Sequence, residues 1–156
     1  MTTKKMGLIA TKGTLDMAYP PFILASTAAA MGWDVQIFFT FYALQLLRKD
    51  LSSVKISPLA NPAMPMPIPM PVMVQMLPGM ESMATMMMKQ KMKSKGVASL
   101  EELRDLCLEA DVKFVACQMT VDLFEFQKSD FIDTIEYGGA ATFMKFAGES
   151  DVCLFI

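Results

Sequence analysis

Three cysteines, Cys107, Cys117 and Cys153, are the side chains best suited to covalent chemistry in this chain. It contains no histidine to act as a base, proton shuttle or metal ligand. Cys117 stands at a junction. Lys113-Phe114-Val115-Ala116 reads as a short buried strand, and Gln118-Met119-Thr120-Val121-Asp122-Leu123 as the opening of a helix. A thiol there lies at the carboxyl end of a strand, where open α/β sheets bind ligands. It also lies at a helix start, whose free N–H groups favour an anion and therefore a thiolate. The amides of Met119 and Thr120 can serve the sulfur, and the Thr120 hydroxyl can cap or donate to it. Any further activation must come from a lysine or a partner protein. Position alone leaves a second reading open, in which Cys117 is an inert buried thiol.

The other candidates are weaker by type or place. Cys107 falls near the end of a helix, ten residues before Cys117. A reversible disulfide between the two requires Cα atoms within ~7 Å, and the alternative is a small apolar residue on an inner helix face. Cys153, inside the last strand, reads as core. This spacing suits no zinc site and no metal is expected. Gly13, Thr40 and Gly138-Gly139 also fall at strand carboxyl ends, where glycine lets backbone N–H groups approach an anion. With Gln118, Met119 and Thr120 they form the candidate anion- or substrate-binding set, although each glycine alone is explained by a tight turn. Neither GxGxxG nor GxxxxGK[ST] occurs, so a dinucleotide or P-loop phosphate site lacks its motif and no resident cofactor is expected.

The elements that must position these residues follow from periodicity. Lys5–Thr11 reads as a strand, Ala18–Met31 as a helix with Pro20 and Pro21 at its front, and Trp33–Thr40 as the strongest strand. Ala43–Lys49 is a short helix. Ser99-Leu100-Glu101-Glu102 has capping-box spacing ahead of Leu100, Leu103, Leu106 and Cys107 on one helical face. Val112–Cys117 is a strand and Thr120–Gln127 a helix. Phe131–Tyr137 leads into Gly138-Gly139, Ala140–Ala147 is a helix, and Asp151–Ile156 is a last strand. The alternation predicts one three-layer α/β/α domain over 1–156, with a mostly parallel five-stranded sheet.

Between Pro58 and Pro78 lie seven of the nine prolines, and between Met64 and Met92 eleven of the seventeen methionines. The stretch from Pro58 to Pro71 is expected to be an extended, partly polyproline loop. Beyond it Met73, Met76, Met80, Met83 and Met87 share one face of a helix that ends at Lys89, Lys91, Lys93, Lys95 and Gly96. This insert, 58–95, has three readings: an adaptable interface helix, a helix lying on a membrane surface, or a thioether site for copper(I).

Composition bounds the partners. The 156 residues are 53% apolar, and 14 basic against 16 acidic residues give a net charge of −2. No broad positive field exists, so nucleic acid is not an expected partner. Mean hydropathy is +0.37, and surplus apolar surface predicts a homo-oligomer, a trimer or a dimer of trimers, through the insert. Unpaired cysteines and an N-terminus without a cleavable signal predict a cytoplasmic protein, membrane-associated if the methionine face meets a bilayer.

Several segments, in order, resemble the DsrE/DsrF-like family, most closely its branch of DsrE-related sulfur carriers, sometimes labelled peroxiredoxin-like. They are the opening strand with Thr11-Lys12-Gly13, Asp34–Phe41, Ala116-Cys117-Gln118-Met119-Thr120, Glu136–Ala141 and Leu154-Phe155-Ile156. The resemblance implies a small oligomeric α/β fold whose Cys117 carries sulfur as a persulfide, or holds thiosulfate. The sulfur would pass to a TusA-like carrier or another thiol protein. Two alternatives stand beside it: an assembly or binding module with a structural Cys117, and a thiol redox protein using Cys107 and Cys117.

Overall fold

The computed structural model describes residues 2–58, 63, 65, 67, 68 and 70–156. Five strands, β1 (Lys5–Ala10), β2 (Asp34–Phe39), β3 (Lys113–Cys117), β4 (Glu136–Gly138) and β5 (Val152–Phe155), form one sheet in the order β4-β3-β2-β1-β5. Every strand pair is parallel. Parallel neighbours need crossovers, and the apolar runs of β1, β2 and β3 suit strands covered on both faces.

Strand alternation divides the core. Met6, Leu8, Ala10, Val35, Ile37, Phe39, Phe114 and Ala116 belong to the main cluster under α1 (Leu15–Ala30) and α4 (Leu100–Glu109). At its centre Phe39 and Phe114 meet edge-on at 5.2 Å, and Phe22 of α1 lies 6.0 and 5.8 Å from them. Each such pair adds about 0.5–1.5 kcal/mol beyond area burial. On the opposite face Phe38, Val115 and Cys117 pack with Phe143 of α6 (Ala140–Ala147), where Phe38 and Phe143 stack at 5.2 Å. One eight-residue helix cannot cover that whole face. The β5 edge stays open, with Phe155 74% exposed, and Cys153, expected in the core, is exposed as well.

Several boundaries differ from the sequence reading for local reasons. Helix α1 begins at Leu15, before the prolines, and carries Pro20 and Pro21 inside it. Its burial against β1, β2 and α4 outweighs the lost hydrogen bonds. The helix expected at Ala43–Lys49 is a 3-10 helix over Phe41–Leu47. On α4 the capping box forms between Ser99 and Glu102, but Leu106 points outward at 49% exposure and Arg104 takes the inner position. The helix expected at Thr120–Gln127 is a shorter one, α5 (Gln118–Leu123).

The methionine stripe does not ride on one helix. Gly79, at φ 86°, separates α2 (Val72–Gln75) from α3 (Met80–Ser94), a turn that a left-handed glycine permits. Helix α3 buries Ala84 and Thr85 and packs Met88 and Met92 on the core. Met73, Met76, Met83 and Met87 are exposed. Half of the 58–71 stretch read as a polyproline loop lies outside the described residues.

Candidate functional site

Chain order and strand order together locate the point where ligands bind in such sheets. After β3 the chain returns to β4 across the α1/α4 face, where Phe131 and Ile135 join the main core. After β4 it crosses the other face through α6 and reaches β5 at the far edge. Loops leaving the carboxyl ends of β3 and β4 therefore diverge to opposite faces, which makes the space between them the topological switch point. Cys117 and Gly138 are register partners there.

Cys117 is the N-cap residue of α5, with φ −65° and ψ 109°. Its environment pulls in two directions. Burial raises the thiol pKa, but the Thr120 hydroxyl and amide, the Thr40 hydroxyl and the Met119 amide outweigh it, so the net shift is downward. Cys117 closes no side-chain cap hydrogen bond. Only 5% of the residue is exposed, so the sulfur is shielded.

The two threonines are themselves organised. Their Oγ1 atoms lie 3.2 Å apart, and the Phe41 amide donates to Thr120 Oγ1 at 3.3 Å. Thr120 is fully buried. Phe41 holds φ 49°, a left-handed conformation that costs a non-glycine residue on the order of 1 kcal/mol. The helix it opens is tied down by buried Arg104, whose Nη1 donates to the Leu46 and Arg48 carbonyls at 3.1 and 2.6 Å.

Around the site stands an apolar rim. Phe41, Tyr42, Met119, Leu123 and Phe124 are all exposed. Tyr42 stacks on Phe124 at 6.1 Å, and Phe41 meets the same ring edge-on at 6.4 Å. The sequence reading missed this rim, together with Phe41 and Arg104. Aromatic residues directly after a strand and after a short helix were the available signal.

The remaining candidates fall as follows. Thr40, Met119, Thr120 and Gly138 gather at Cys117. Gln118 turns back along its own helix, with Nε2 donating to Asp122 Oδ1 at 2.7 Å. Gly139 caps α6 and has open space where a side chain would stand. Gly13 lies at the β1 end on an open cavity of about 500 Å³ with Lys12, Asp16 and Tyr42. A Cβ on Gly13 would overlap the Tyr42 carbonyl oxygen, so close backbone packing explains this glycine. Cys107 is buried on the other side of the sheet, its Sγ donating to the Phe22 carbonyl at 3.3 Å. Burial pushes its thiol up to about 12. Cys117 belongs to the cluster on the opposite face, and all three cysteines are free. Among the described residues no group of three or more Cys, Asp or Glu side chains is placed to hold a metal ion. No described helix is long and apolar enough to cross a membrane.

Comparison with known proteins places the chain in a family. The chain is 65% identical, over the full length of both, to a protein of Allochromatium vinosum named sulfur carrier protein DsrE2. It is 34% identical to the uncharacterized protein YrkE of Bacillus subtilis, covering 99% of this chain and 98% of that one. The crystal structure of the ychN protein from E. coli shares the fold, with a TM-score of 0.57 at 10% identity over 99% of this chain and all of that one. The model of the DsrE/DsrF/DrsH-like family matches residues 2–155, and the chain belongs to that family.

Proposed function

We propose that this protein is a sulfur carrier which holds a persulfide on Cys117 and passes its outer sulfur to a partner thiol. The observation that carries the reading is the set of donors Cys117 meets at the switch point of the sheet, where it caps α5 ahead of the Met119 and Thr120 amides and stands beside the hydrogen-bonded Thr40 and Thr120 hydroxyls. Such a set stabilises a thiolate, and a perthiolate after loading, without a base. The similarity to a protein named as a sulfur carrier supports it.

The chemistry balances without an outside oxidant. The Cys117 thiolate attacks the sulfane sulfur of thiosulfate, an S–S bond forms on Cys117, and sulfite leaves with the electron pair of the broken bond. A protein persulfide serves equally, with its thiolate as leaving group. In the return step a partner thiolate attacks the outer sulfur and Cys117 departs as a thiolate stabilised by the same donors. Shielding suits this role, because it keeps a reactive sulfur from bulk solvent between transfers. Against a Cys107–Cys117 redox pair stand the placement of the two thiols on opposite faces and the raised pKa of Cys107.

In this proposal the acceptor is a TusA-like carrier or another thiol protein. The exposed methionines of the insert are assigned to contact with a second copy, in a trimer or hexamer, or with a membrane surface, in a cytoplasmic protein. The test is intact mass spectrometry after incubation with thiosulfate or polysulfide. Wild type is expected to gain the mass of sulfur atoms, and Cys117→Ser to gain none. Equal loading of the two proteins overturns the assignment.

A further inference from the structure

We infer that Thr120 and Thr40 are positioning residues whose hydroxyl protons are directed onto the Cys117 sulfur because the Phe41 amide occupies the acceptor side of Thr120. A threonine hydroxyl has one proton to give and lone pairs with which to accept. Thr120 is fully buried, so no bulk water competes for either role. Its Oγ1 accepts from the Phe41 N–H at 3.3 Å. That bond fixes the oxygen and leaves its proton for Thr40 Oγ1 at 3.2 Å or for Cys117, which stands beside Thr40 because the preceding residues Phe39 and Ala116 are register partners. Thr120 is the third residue of a helix capped by Cys117, the position whose amide ordinarily faces the cap side chain. When the sulfur carries charge, both hydroxyls turn toward it, since a hydrogen bond to an ion is stronger than one between two hydroxyls.

The left-handed Phe41 backbone explains its own strain in this arrangement. Phe41 follows Thr40 directly, so the φ of 49° reverses the chain just after the strand. Thr40 remains at the sulfur while the next amide points at Thr120. Strain of this kind persists where surrounding structure over-determines it. Here the Phe124 ring and the Arg104 anchor at the far end of the same 3-10 helix provide that surrounding structure.

The inference takes its purpose from the sulfur-carrier reading, but its test reads the resting thiol and does not depend on sulfur loading. The full chain is alkylated with iodoacetamide across a pH series, and modification of the Cys117 peptide is followed by mass spectrometry. Thr120→Val removes the hydroxyl at nearly constant volume, and Thr120→Ser keeps it. The valine variant is expected to shift the Cys117 midpoint upward by about one pH unit, a roughly tenfold loss of thiolate at fixed pH, and serine to restore it. Thr40→Val, measured the same way, should move the midpoint in the same direction by a smaller amount. This second variant keeps the question open to test if Thr120→Val does not fold. A folded Thr120→Val with a wild-type midpoint overturns the inference, as does an unshifted Thr40→Val where the Thr120 variant cannot be made. Variants that show the shift, beside a wild type that takes up no sulfur, leave the positioning role standing and remove the carrier role.

Discussion

Gly13→Ala tests whether the loop after β1 is glycine for packing or for a ligand. The added methyl would overlap the Tyr42 carbonyl oxygen and come within 3.0 Å of its carbonyl carbon. Both are backbone atoms at the start of the 3-10 helix, so no side-chain rotation relieves the clash. Either that helix moves away from β1 or the loop leaves the start of α1, where the Leu15 amide donates to the Lys55 carbonyl at 2.8 Å. Overpacking of this kind costs about 1–3 kcal/mol, at the upper end where backbone must yield. For a domain of this size about 3 kcal/mol corresponds to a fall in melting temperature of roughly 6–12 °C. Gly139→Ala is the matched control. Its backbone is extended, at φ −97° and ψ −178°, with no atom within 4 Å of an added Cβ, so the entropy removed from the unfolded chain offsets the poorer N-cap and alanine is expected to change stability by less than about 1 kcal/mol. Thermal melts of the two variants beside wild type provide the assay. A Gly13→Ala variant melting with wild type would refute the packing argument and return Gly13 to the ligand-binding candidates.

Two further outcomes follow from buried groups. Arg104→Met releases a desolvated cation but strands the Leu46 and Arg48 carbonyls; the lost charge-assisted bonds should outweigh the gain and destabilise by about 2 kcal/mol in urea titrations, and a variant as stable as wild type would show the anchor to be unnecessary. Cys107 has a thiol raised by burial from an ordinary 9.0 to about 12. Above pH 9 the unfolded chain therefore loses this proton while the folded chain keeps it, and stability present below pH 9 is lost at about 1.4 kcal/mol per pH unit toward pH 12. The gap in unfolding free energy between wild type and Cys107→Ala should narrow by about 2 kcal/mol between pH 9 and about pH 10.5; a constant gap would show that the thiol ionises normally.

The order of strands and helices was legible in the sequence because each element carries its own period. Continuous apolar runs in β1, β2 and β3 mark doubly covered strands, and the Ser99–Glu102 box is a local hydrogen-bond pattern that needs no tertiary partner. The junction at Cys117 was legible for the same reason. Elsewhere local signals misled, because other forces governed the outcome. Pro20 and Pro21 signalled a helix start, yet burial carries α1 through them. Methionine spacing signalled one stripe, yet Gly79 breaks the helix and α3 turns Met88 and Met92 inward. Cys153 looked internal by strand membership, but strand order put it on an edge strand, where it is exposed.

By itself, then, the sequence determined a parallel α/β domain with a thiol at a strand–helix junction, since both depend on interactions between near neighbours in the chain. Tertiary structure alone decided the surroundings of that thiol. Thr40 and Phe41 reach Thr120 from about eighty residues away, Arg104 anchors their helix across 58 and 56 residues of chain, and the pairing of β4 with β3 sets Gly138 beside Cys117. Contacts of that separation leave no period in the sequence; they exist only once the sheet has set the order of its strands.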